Sequence, residues 1–155
     1  MKNRLSTLIA AAALVAAFAT FGQTNGQSPA KPDKKIEIQL LWGTDAAKSP
    51  NPAHKPVEAD IQRRLRSSPL KWTNYFLVKK MTVSVPRRQA TRQPISDKCA
   101  IEIQDLGNTM LELSFYGKDK KVEKRKQALP RGDVFVYSGN APGTNAWLLV
   151  LKRLD

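Results

Sequence analysis

Six basic residues, Lys118, Lys120, Lys121, Lys124, Arg125 and Lys126, crowd a stretch of nine. Ammonium and guanidinium groups at that density hold phosphate, sulfate or carboxylate groups by charge, and each such contact releases counterions. Arg87 and Arg88 follow Pro86, with Arg92 close behind, and form a second cluster. Arg63, Arg64 and Arg66 form a third. The chain carries 26 basic against 13 acidic residues, a formal charge of +13. Such a charge draws polyanions and disfavours basic partners. Solubility is the competing explanation, since a charged surface also keeps a protein from aggregating. The first cluster has a further alternative. In Val122-Glu123-Lys124-Arg125-Lys126, period two puts both lysines on the face of Val122. If Val122 points inward, so do they, and inward lysines are how an edge strand is kept from pairing with another chain.

Nucleophilic and metal chemistry have little to work with. His54 is the one histidine, in the loop Asn51-Pro52-Ala53-His54-Lys55-Pro56, and any Ser-His-Asp or Cys-His arrangement would have to use it. No serine stands in a G-x-S-x-G elbow. One His, one Cys and scattered carboxylates give no zinc or EF-hand spacing, and nothing in the pattern asks for a cofactor. Cys99 cannot form an intramolecular disulfide and is expected to be buried and inert. Paired carboxylates for glycoside hydrolysis would come from Glu37, Glu102 and Glu112, each on the polar side of an alternating segment. Arg131-Gly132-Asp133 matches an adhesion tripeptide, but tight-turn chemistry accounts for it. Trp42, Trp72, Tyr75 and Trp147 could build a stacking platform, or serve as core.

The elements that position these residues read mainly as strands. Ile36-Glu37-Ile38-Gln39-Leu40 alternates with period two, and so do Met81–Val85, Ala100–Leu106 and Leu111–Phe115. Gly117-Lys118-Asp119-Lys120 is a hairpin connection. Trp147–Leu151 is a continuous apolar run, the mark of a strand covered on both faces. Gln89–Ile95 reads as a short strand weakened by Pro94. One helix is expected over 57–66, from the stripe Val57, Ile61 and Leu65, with Pro56 at its first position and acidic residues leading basic ones. The fold class is therefore an antiparallel β-sandwich or small barrel with one short helix.

The first 22 residues have the order of a secretory signal peptide. Lys2 and Arg4 precede an apolar alanine-rich run, and Ala17-Phe18-Ala19 offers a cleavage pattern. Cleavage near Ala19 or Gly22 leaves 24 basic against 13 acidic residues, or +11. Residues 23–34 read as a flexible leader, and 35–155 as one β-rich domain.

The layout also resembles small secreted proteins of unknown role from environmental bacteria. The residues that carry the likeness are Leu41-Trp42-Gly43-Thr44, Leu70-Lys71-Trp72-Thr73-Asn74-Tyr75-Phe76, and Gly139-Asn140-Ala141-Pro142 before Ala146-Trp147. These motifs are structural, and the resemblance implies no activity.

The expectation is an exported, non-enzymatic basic module that contacts an anionic polymer or envelope surface. The proposed binding residues are Lys118, Lys120, Lys121, Lys124, Arg125, Lys126, Arg87 and Arg88. No contact with intracellular nucleic acid and no membrane span in the mature chain are expected. The alternatives are an envelope scaffold domain with a protein partner and a small carbohydrate-active enzyme.

Overall fold

Alternation in the first strand divides the molecule into layers. In β1 (Lys34–Thr44), Ile36 and Ile38 turn to one side, and Glu37, Gln39 and Leu41 to the other. A computed structural model describes residues 33–155; the expected signal peptide and all of the leader before Asp33 lie outside them. β1 starts one residue inside the expected leader, because Lys34 pairs with Val85 of β3 (Asn74–Val85).

Sheet A has the order β2-β3-β1-β9-β8, with β2 Lys55–Pro56, β8 Val134–Asn140 and β9 Ala146–Arg153. Sheet B is the meander β4 (Ala90–Pro94), β5 (Cys99–Gly107), β6 (Met110–Gly117) and β7 (Lys120–Ala128). Every ladder between strands is antiparallel. The sheets do not close into a barrel and form a sandwich. Its core joins Ile36, Ile38, Leu149 and Leu151 of sheet A to Ile101, Ile103, Leu113 and Phe115 of sheet B.

Helix α1, the one α-helix among the described residues, covers the other face of sheet A. It spans Ala59–Arg66, two residues shorter at its start than expected, because Pro56 is used in β2 opposite Phe76 and Glu58 takes the cap position. Ile61 and Leu65 are fully buried against Leu41, Leu148 and Val150. Each such side chain contributes about 1.5–3 kcal/mol. The apolar run in β9 is thus covered twice: Leu149 and Leu151 face sheet B, while Leu148 and Val150 face the helix.

Charges finish that helix-side face. Lys80 bridges Glu37 (2.9 Å) and Glu58, and those two carboxylates hold its ammonium above the usual range. Asp60 accepts from Lys152 at 2.7 Å, which lowers its carboxyl, while Arg64 reaches Asp133 at 3.1 Å. Asp60 and Arg64, four residues apart on the helix, thus each pair away from it, with Lys152 and Asp133. Among the described residues, no helix is long and apolar enough to cross a membrane.

Candidate functional site

The basic hairpin is organised by one inserted residue. Lys118 (φ 48°) and Asp119 (φ 63°) both take left-handed backbone, as a two-residue turn matching strand twist requires. Gly117 then pairs with Lys120 and Tyr116 with Lys121, but Phe115 pairs with Glu123. Val122 is left over as a bulge and is 62% exposed. The bulge reverses the facing of everything after it. Glu123 and Arg125 lie opposite Phe115 and Leu113, whereas Lys124 and Lys126 lie opposite Ser114 and Glu112. The conflict over inward lysines is thereby removed: Val122 lies on the groove side beside Gly117, while the inserted residue shifts the two lysines to the outer face of an edge strand.

Arg125 takes the inner side instead. Its guanidinium lies 5.2 Å from the Phe135 ring centroid and 3.7 Å from Glu123. Lys124 is paired with Glu112 at 2.7 Å, and that carboxylate raises its pKa. Cross-strand register adds Arg92 to the same outer face, opposite Glu102. Arg92 lies 4.0 Å from the Tyr116 ring centroid and Lys121 5.5 Å from it, so the ring is flanked by two cations.

Arg87 and Arg88 do not join this face. Arg87 forms an isolated parallel backbone bridge with Asp105, and the Arg88 amide donates to the Asp105 carbonyl. Cys99, at the other end of β5, pairs with Gly117 beside the hairpin turn. Six residues of strand, about 20 Å, separate the two places. The expected binding set is split between opposite ends of sheet B.

The remaining chemistry sorts as follows. Glu37 is buried in its pair with Lys80. Glu102 and Glu112 sit on the outer face of sheet B among cations. His54 has a hydrogen bond that sequence does not signal, between Nδ1 and the Ser49 hydroxyl at 2.7 Å. The same hydroxyl accepts from the Asn51 amide at 3.3 Å, and the His54 amide donates to the Asn51 carbonyl at 3.1 Å. Among the described residues no carboxylate meets the other ring nitrogen, so the third group that orients a catalytic base is missing. The pair ties up a loop. Among the described residues, no three His, Cys, Asp or Glu side chains converge as metal ligands.

The four aromatic residues divide by face. Trp72 donates Nε1 to the Thr144 carbonyl at 2.6 Å, and Tyr75 is buried on the helix side. Trp42 and Trp147 are register partners on the inner face. Phe115 stacks on Tyr137 with centroids 3.9 Å apart, and Tyr137 tilts against Trp147 at 5.8 Å. Trp42, Phe115 and Trp147 line the open end of the sandwich, where a groove of about 530 Å³ enters between the sheets. Cys99 lies in its wall and is half-buried, less enclosed than expected; burial pushes its thiol up.

No protein family, curated protein or solved structure matches this chain. The likeness to small secreted bacterial proteins rests on the sequence motifs alone.

Proposed function

We propose that the protein is an exported, non-enzymatic module that contacts an anionic polymer or surface through the outer face of sheet B and its β7 edge. The observation that supports this is the register around Tyr116. It places Arg92, Lys121, Lys124 and Lys126 on one face, with Lys118 and Lys120 at the adjoining turn. A flat sheet face studded with long cationic side chains suits an extended polyanion, whose charges repeat along its length. Glu102 and Glu112 on the same face hold the cations in place and moderate the affinity.

Replacing Lys120, Lys121, Lys124 and Lys126 together with Gln tests the proposal on a heparin column. Retention should fall and its dependence on salt should flatten, because fewer counterions are released. Unchanged retention would show that these lysines only protect an edge. Elution of the wild-type chain like a neutral protein at physiological salt would reject the reading altogether.

A further inference from the structure

Of three register breaks among the described residues, the one at Leu106 lies at the far end of β5, and the other two lie in different sheets and serve the same opening. In sheet A the register between β1 and β3 skips Val78, just as the register between β6 and β7 skips Val122. Both valines are exposed, at 39% and 62%, and both line the groove at the open end. Leu40, Trp42, Phe115 and Trp147 form its deeper wall. Bulges re-aim side chains at functional edges, and here two of them turn apolar groups toward one cavity that they leave uncovered.

The rim has one sign of charge. Lys98 and Lys118 line the groove, and no Asp or Glu does. A backbone hydrogen bond from the Lys118 amide to the Lys98 carbonyl (2.9 Å) holds the two residues side by side. Neither ammonium forms an ion pair among the described residues. Their acidic chain neighbours, Asp97 and Asp119, line an adjoining cleft with Arg92 that shares Lys98 and Cys99 with the groove, and Asp119 lies 3.7 Å from that arginine. Trp42 also lines the groove, and its buried Nε1 donor has no partner. Two adjacent cations over an apolar hole are complementary to a molecule that is anionic at one end and hydrocarbon along the rest. The volume lies within the roughly 300–1,000 Å³ typical of small-molecule sites.

We infer that this groove binds a single long-chain carboxylate amphiphile, with its acyl chain between Val78, Val122, Trp42 and Trp147 and its head group at Lys98 and Lys118. The inference does not rest on the polyanion reading, since the lysines replaced in the heparin test are outside this site.

Dibromostearate added to the full chain tests it, because bromine quenches an indole only on contact. Trp42 and Trp147 should be quenched at micromolar concentrations, with Trp72 left as residual emission. Labelling of Cys99 at alkaline pH should slow at least tenfold on saturation. The alcohol of the same chain should bind at least tenfold more weakly, and the corresponding amine more weakly still. Shortening the chain should reduce affinity by roughly fourfold per methylene removed. The double variant Lys98→Glu/Lys118→Glu should weaken binding at least tenfold. Val122→Asp, at an exposed bulge that the fold tolerates, should abolish quenching. Equal quenching by acid, alcohol and amine would overturn the inference, as would full quenching in both variants. So would an unquenchable groove, filled by residues 1–32 or by a second copy. Protection of Cys99 by phosphatidylglycerol vesicles but not by the free acid would assign the groove to a membrane surface and also overturn it.

Discussion

Lys34 of β1 and Asp105 of β5 form an ion pair between the two sheets, with side chains only 7% and 8% exposed. It closes the end of the sandwich opposite the groove. Burial by itself pushes the Asp105 carboxyl up, but the Lys34 hydrogen bond, the Gly107 amide (2.8 Å) and the charges of Lys34 and Arg87 outweigh it and hold the group below its usual value. A depressed carboxyl contributes stability that is present above its unfolded value and lost as pH falls through the folded one. Asp105→Asn strands a buried ammonium and should cost about 3–5 kcal/mol at neutral pH. Urea unfolding should show that difference begin to shrink below about pH 4, where the carboxyl of the unfolded chain takes up its proton, and go on shrinking as pH falls through the depressed folded value. A gap independent of pH would contradict this account.

The helix is held by few side chains, so one charge should dislodge it. Ile61 is fully buried between α1 and sheet A. Ile61→Asp removes an apolar anchor and buries a carboxylate, at a cost of about 3–5 kcal/mol. A large drop in thermal midpoint is expected, and a wild-type melting curve would show that the helix does not pack as described.

Cys99 should react slowly with thiol reagents at neutral pH. Burial raises its pKa, so little thiolate is present, and thiolate is the reactive form. The labelling rate should climb above about pH 9, following thiolate content. Fast labelling at pH 7 would contradict the assignment.

Gly139 leaves room for the Trp147 indole. A Cβ there would lie 2.1 Å from Cζ2 of that ring, which is a rigid plate with no flexible end to swing aside. Gly139→Ala should destabilise by about 1–3 kcal/mol and alter the near-ultraviolet circular dichroism of the tryptophans. An unchanged spectrum would place Trp147 elsewhere.

The fold was legible where the pattern was local. Alternation in Ile36–Leu40 and Leu111–Phe115 gave strands, and the unbroken run at Trp147–Leu151 gave a strand covered on both faces. The helix stripe was legible too, but Pro56 suits both a first helical position and an edge strand, and pairing with Phe76 decided between them. The candidate site was less legible. Period two fails at a bulge, so the facing of Lys124 and Lys126 could not be read without knowing that Val122 is inserted. Arg87 and Arg88 looked like part of one basic set because sequence proximity says nothing about which end of a sheet a loop reaches. The groove was invisible, since it draws on seven separated segments that share no motif.

The antiparallel pairing of β1 with β9 bears on the order in which the molecule is assembled. Ile38 lies opposite Leu151, so the centre of sheet A joins segments on the order of a hundred residues apart, a slow closure compared with the hairpins of sheet B. The β4–β7 meander can gather by itself, but its apolar face has no cover until β9 arrives. A chain of this design stays open until synthesis of its last strand is done. That delay makes the interval before β9 docks the period of greatest exposure to aggregation.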